Sequence, residues 1–201
     1  MTSGRPWTTA DVDGYRDWID GWIGERAARG EAADCADLAL LAVVTWASQR
    51  GLHVPLSFLQ RRGGRWRWTT VSQDTFGGDY LKYARWVRRM LGAQNLVDHV
   101  NSRPVATRDL RAGDFLVFDW RQSGAEPNIP YWHTIVYISP SRLWMGNEDS
   151  MDQPVAPQAI TDDHPRGTRT PRDYLEHPDL YADPRVGPAG RRWKFFPRDG
   201  T

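Results

Sequence analysis

The amino-acid sequence predicts an α+β fold, with helices in the first half of the chain and an antiparallel sheet in the second. Apolar residues recur at helical spacing up to Gly92, and short apolar segments typical of strands follow from Leu110 onwards. The 201 residues, 40% hydrophobic and 25% charged, are enough for one domain with a sizeable core. We therefore predict a single domain over residues 1–201. Its core is expected over about 8–150, a loop-rich stretch over 151–190 and a closing strand over 191–198.

Two long helices are predicted at the start of the chain. Thr8 or Thr9 can cap the first helix, and Gly30 ends it. The second helix lies in "AADCADLALLAVVTWASQRG", where Asp34 is a good N-cap and Gly51 the stop. Its residues are apolar almost all round until the last turn, so we expect it to be buried.

The remaining elements are shorter. "LHVPLSFL" and "GRWRWTTVS" predict a β-hairpin around "RRGG", and "DYLKYARWVRRMLG" predicts a third helix. "NLVDHVN" indicates a turn or a short helix. "LRAGDFLVFDW" predicts a turn at Ala112-Gly113-Asp114 followed by a strand, and "HTIVYIS" and "RLWMGN" predict two more strands. "PRDYLEH" indicates a short helix, and "RRWKFFPR" a last strand.

The composition excludes several classes of partner. Lys and Arg number 26 against 25 Asp and Glu, which gives no general attraction to nucleic acid. "QRRGGRWRWTT" interleaves Arg and Trp, as nucleic-acid patches do, but a solvated hairpin is the favoured interpretation. No apolar run is long enough to span a membrane, and the N-terminus lacks the apolar core of a signal peptide. We expect a soluble protein made in the cytoplasm, whose eleven tryptophans belong mainly to the core rather than to a sugar-binding surface.

The only cysteine, Cys35, lies where the second helix begins, and it is the candidate nucleophile. Free N–H groups and the positive end of the helix dipole favour a thiolate there, whereas Asp34 and Asp37 oppose it, so a base is needed. His133 is the best candidate, at a strand end and on the same face as Ile135 and Tyr137.

A third polar group can orient the imidazole of His133. Asn147 follows the next predicted strand and is the first choice, with Glu148 and Asp149 as rivals. An inert buried thiol is the alternative to a catalytic Cys35. No cofactor and no metal site is predicted.

Four motifs, "DCADLALLAVV", "LRAGDFLVF", "HTIVYIS" and "MGN", resemble in their order those of papain-like cysteine hydrolases of bacteria. The resemblance is to the NlpC-type and CHAP-type cell-wall amidases and endopeptidases, including toxin domains delivered by contact-dependent (type VI-like) secretion. It covers roughly residues 33–147. The chain departs from the family pattern at Ala36-Asp37, where Ser-Gly is frequent, and no glutamine a few residues before Cys35 offers an oxyanion donor. Tyr15 or the backbone N–H of Cys35 is then the candidate oxyanion donor.

The resemblance implies a papain-like fold and a Cys-His-Asn set that hydrolyses amide bonds in peptidoglycan peptides. It further implies an antibacterial effector, carried to the envelope of a target cell by a secretion system, with an immunity protein as partner in the producing cell. Two alternatives stay open. One is a cysteine acyltransferase or protein-modifying protease on the same fold, and the other is a non-catalytic Trp-rich module that binds cell-wall glycan.

Overall fold

The chain folds into helices packed on an antiparallel sheet, in a computed structural model that describes residues 4–119, 132–146, 156–163, 169–176 and 190–198. The helices are α1 (Thr9–Ala28), α2 (Cys35–Arg50), α3 (Tyr80–Met90), α4 (Ala93–Leu96) and α5 (Pro171–Glu176). The strands are β1 (Leu56–Arg62), β2 (Arg65–Val71), β3 (Ser102–Pro104), β4 (Phe115–Asp119), β5 (Trp132–Ser139), β6 (Arg142–Met145), β7 (Gln158–Thr161) and β8 (Gly190–Trp193). Single 3-10 turns lie at Gln73–Phe76 and Thr107–Asp109. The predicted α+β class is confirmed.

Helices α1 and α2 begin and end at the residues that the sequence predicts. Thr8 caps α1 through its side chain and Asp34 caps α2, because their oxygen atoms accept first-turn N–H groups that have no partner within the helix. Gly51 ends α2 in the left-handed region, at φ 63°. From Ala36 to Val44 every side chain of α2 is buried, which explains why the helix has no polar face.

Six strands form one antiparallel sheet in the order β3-β8-β4-β5-β6-β7, whose two faces carry separate apolar clusters. The face that holds Val117 and Val136 belongs to the main core, and α2 packs against β5. The opposite face holds Ile135, Tyr137 and Leu143 in a second cluster. Alternation along β5 therefore assigns each of its residues to one face or the other.

Two parts of the sheet differ from the prediction. The stretch over 151–190 was expected to hold loops and one short helix, yet it also contributes β7, which pairs with β6 at the edge of the sheet. Only Ile160 of this strand is buried. The sequence "QAIT" therefore lacks the alternation of apolar and polar residues that indicates a strand. The closing strand is shorter than 191–198 and lies between β3 and β4, with which it forms antiparallel ladders. Its Arg192 forms a buried ion pair with Asp114 at 2.7 Å.

The aromatic residues divide between the core and one hairpin. Trp7, Trp46, Trp144 and Trp193 are buried, as the core interpretation predicts, whereas Trp66 and Trp68 on the β1–β2 hairpin are exposed. Within the described residues, the helices include none with the length and apolar character that a bilayer crossing needs.

Candidate active site

Cys35 is the first residue of α2, directly after the N-cap. The Asp34 side chain accepts a hydrogen bond from the Asp37 N–H at 2.7 Å, which fixes the first turn. The Cys35 and Ala36 N–H groups in the same turn have no acceptor within the helix by geometry. The thiol is thus held at the positive end of a helix, partly buried, beside backbone donors.

The backbone of β5 borders the thiol. The backbone N–H groups of Thr134 and Ala36 lie near the Cys35 sulfur and act to lower its pKa. The Thr134 N–H belongs to the peptide bond that joins His133 to Thr134, so the sulfur lies near this peptide group. The structure therefore brings together the beginning of α2 and the beginning of "HTIVYIS", two of the segments on which the candidate site depends.

The electrostatics of Cys35 favour the protonated thiol. Burial, with the negative charges of Asp34 and Asp37, raises the pKa of Cys35 to about 11, and the two N–H groups offset only part of that rise. The sequence placed opposing influences here, and the structure decides between them: desolvation and the aspartates outweigh the helix dipole. At neutral pH the free protein carries a thiol at this position.

Asp37, near the thiol, is a buried carboxyl group whose ionised form is disfavoured by its surroundings. Burial and the nearby Asp34 raise the pKa of Asp37 to about 6, although Arg88 donates to its Oδ2 atom at 2.9 Å. No described residue donates a hydrogen bond to its other oxygen, Oδ1. Sequence reasoning did not identify Arg88, because the pairing joins α2 to α3 across 51 residues and leaves no local signal.

His133 lies on β5 and is only 2% exposed, one residue before the Thr134 N–H that lies near the thiol. Burial lowers the pKa of His133 to about 4, so its imidazole is neutral at pH 7. Strand alternation assigns His133 to the face of Ile135 and Tyr137, as the sequence predicts, while α2 packs on the other face. The His133 imidazole therefore belongs to the face of β5 opposite to the one on which α2 packs, whereas the His133 backbone lies next to the beginning of α2.

The end of β6 closes against the segment that precedes Cys35. A Cβ atom added to Gly146 would lie 2.5 Å from the carbonyl oxygen of Asp34 and 2.8 Å from that of Ala33, so only glycine fits here. Asp20 of α1 fixes β6 from the helix side, accepting hydrogen bonds from Arg142 at 2.9 Å and Trp144 at 2.6 Å. The close approach of Gly146 to the carbonyl oxygens of Ala33 and Asp34 explains why "MGN" contains a glycine, which the sequence alone did not explain.

The other predicted site residues have different outcomes. Asn147, Glu148 and Asp149 lie outside the described residues, as does most of the insert before His133. Tyr15, a candidate oxyanion donor, is fully buried in the core, where its ring contacts those of Trp7 and Phe196.

The described part of the chain contains no group of three or more His, Cys, Asp or Glu side chains arranged to hold a metal ion. A comparison with protein families, curated proteins and solved structures finds no match to this chain. Any assignment of function therefore depends on the chemistry of the residues around Cys35 and on the motifs they form.

Proposed function

We propose that the protein is a cysteine-dependent amide hydrolase with a papain-like arrangement, in which Cys35 is the nucleophile and His133 its base. One observation carries this proposal: the N–H of the peptide bond between His133 and Thr134 lies near the Cys35 sulfur, at the beginning of α2. Thiol-based acyl transfer requires a thiol, a neutral imidazole and N–H donors for the oxyanion, and the beginning of α2 together with the neighbouring strand β5 carries all three groups.

The pKa values define how the reaction begins. Because the pKa of Cys35 is raised and that of His133 is lowered, the proton stays on sulfur in the free enzyme. When a substrate carbonyl occupies the site, His133 takes the thiol proton as sulfur attacks the carbonyl carbon. The negative charge moves to the carbonyl oxygen, and the Cys35 N–H is the nearest first-turn donor for it.

The reaction then proceeds through an acyl-enzyme. The protonated His133 gives its proton to the leaving amine, the C–N bond breaks, and the acyl group remains on sulfur. A water molecule then attacks this thioester while His133 takes a proton from it. The carbon–sulfur bond breaks, a carboxylic acid is released, and the thiol regains its proton. Asn147 is the proposed residue that orients the imidazole of His133.

The substrate class follows from the motifs rather than from the geometry. We propose peptidoglycan peptides as substrate, because the four ordered motifs resemble those of bacterial cell-wall amidases and endopeptidases. The contact between Gly146 of "MGN" and the segment before Cys35 supports the view that these motifs form one unit. Action as a delivered antibacterial effector, with an immunity protein as partner, is part of the same proposal and rests on the resemblance alone.

Digestion of purified peptidoglycan tests the proposal. Wild-type protein, Cys35→Ala and His133→Ala are incubated with it, and the soluble fragments are identified by mass. We expect new amine and carboxyl ends with the wild type, and a loss of several orders of magnitude in rate with either variant. Met90→Ala, an exposed position on α3, is the control that should keep full activity.

Each outcome separates the alternatives. Cleavage that persists in Cys35→Ala excludes the thiol mechanism. Transfer of an acyl group to an added amine, without hydrolysis, identifies an acyltransferase instead. If the protein sediments with peptidoglycan without cleaving it, and does so equally in wild type and Cys35→Ala, it is the non-catalytic binding module. The raised pKa of Cys35, which keeps the thiol protonated, favours this second candidate. Thermal melts of each variant establish that a loss of activity is not a loss of folding.

A further inference from the structure

The β1–β2 hairpin is a two-stranded sheet, separate from the main sheet, that exposes large apolar side chains. Leu59 is paired with Trp68, and Arg61 with Trp66. Directly opposed residues of antiparallel strands share a face, and so do residues two apart, so these four side chains form one surface. Leu59 is 43%, Trp66 65% and Trp68 39% exposed. We call this surface the indole face.

The opposite face of the hairpin is cationic. Gln60 is paired with Arg67, and Arg62 with Arg65, and all of these side chains except the half-buried Gln60 are exposed. No acidic residue occurs between Leu56 and Val71, and the ion pairs of the described residues include none of the hairpin arginines. The hairpin thus concentrates positive charge in a protein whose net charge is only +1.

We propose that this hairpin docks the protein on an anionic phospholipid surface. Indole rings favour the boundary between headgroups and acyl chains, and an exposed leucine beside them adds apolar area that such a boundary buries. Arg61, at the rim of the indole face, reaches headgroup phosphates with its long side chain. The arginines of the other face stay within about 10 Å of the surface, a distance comparable to the Debye length at physiological salt.

The distribution of charge favours a bilayer over a nucleic acid strand. A single strand that stacks its bases on Trp66 and Trp68 needs cationic side chains on the same side to meet its phosphates. Here three of the four arginines occupy the face opposite the rings, and Leu59 continues the apolar surface instead. A planar anionic membrane surface can bury the indole face and still attract the arginines of the opposite face, because its negative potential acts on every nearby cation.

Vesicle sedimentation with the full-length protein tests this inference independently of any hydrolase activity. Vesicles are made of phosphatidylcholine, with or without phosphatidylglycerol, at low and at high salt. We expect binding only to vesicles with phosphatidylglycerol, and weaker binding at high salt. Trp66→Ala combined with Trp68→Ala should lower the partition coefficient about tenfold or more. Replacing Arg62, Arg65 and Arg67 with Gln should lower it about fivefold, because screening over one Debye length reduces the contribution of each arginine to well below its value of about 1 kcal/mol at the surface.

Matched controls distinguish docking from general stickiness. Leu81→Ala combined with Met90→Ala removes two other exposed apolar side chains, 63% and 46% exposed, and should leave binding unchanged. The inference is overturned if neutral vesicles bind equally well, if no vesicle binds, or if the control variant loses as much binding as the hairpin variants. It is also overturned if a single-stranded oligonucleotide binds in a Trp66-dependent manner while phosphatidylglycerol vesicles do not.

Discussion

Alkylation of Cys35 by iodoacetamide should be slower in the folded protein than in the unfolded chain. Burial and two neighbouring aspartates raise the pKa of Cys35 from 9.0 to about 11, and each pKa unit lowers the thiolate fraction at pH 7 tenfold. The thiolate fraction therefore falls about 100-fold on folding. A thiolate of higher pKa is more nucleophilic, and a Brønsted coefficient of about 0.4–0.5 restores about tenfold of the rate. The net expectation is a folded-state rate about tenfold lower.

The single cysteine makes the measurement direct, because the urea-unfolded chain is its own reference. Mass spectrometry follows the modified fraction at a series of pH values. For the folded protein the rate should keep rising about tenfold per pH unit up to pH 10, whereas for the unfolded chain it levels off near pH 9. Asp34→Asn keeps the helix cap and removes one negative charge, so it should react faster than wild type.

A folded protein that reacts faster than the unfolded chain at pH 7, or whose rate levels off below pH 8, would refute this reasoning. Such a result means that sulfur is already a thiolate, paired with a charged imidazole.

Three further predictions concern Asp37, Gly146 and the candidate orienting residues. Asp37→Asn should stabilise the protein at pH 8 by up to about 3 kcal/mol, because burial raises the pKa of Asp37 from 3.8 to about 6 and the folded state therefore disfavours the ionised carboxylate. The gain should fade as pH decreases through 6 toward 4, as urea unfolding at pH 8 and pH 4 can measure. Gly146→Ala forces a Cβ atom against the Asp34 carbonyl, so its unfolding free energy should fall by about 1–3 kcal/mol in thermal or urea melts. In peptidoglycan digestion, Asn147→Ala should keep reduced but measurable turnover and Asp149→Ala should be close to wild type, and a reversed result assigns the orienting role to Asp149.

Local interactions made α2 and its cap predictable from sequence. Asp34 can cap the helix because its oxygen reaches an N–H only three residues away, and Gly51 ends it because only glycine readily adopts a positive φ. The same locality identified Cys35 as a thiol at a helix start. The prediction that His133 begins an apolar strand also depends on a local signal, and β5 includes this residue.

Features that join distant segments left no such signal. The ion pair between Arg88 and Asp37 depends on how α3 packs on α2, and no spacing in the sequence encodes it. The approach of Gly146 to Asp34 likewise needs the sheet and helix in place. The direction of the Cys35 pKa shift could not be predicted either, because the dipole and the aspartates act in opposite directions and only the degree of burial decides.

The position of β8 has a consequence for how the chain reaches its folded state. This strand is the last of the described strands along the chain, yet it lies second in the sheet, between β3 and β4. During synthesis, β3 and β4 can emerge but have no common neighbour until Gly190–Trp193 leave the ribosome. Until then Asp114 has no Arg192 to neutralise it, and a strand edge of β4 stays open. Nascent chains are thus exposed to misassembly at this edge from the synthesis of β4 until that of β8, and nonsense mutations between these two strands should give aggregating products.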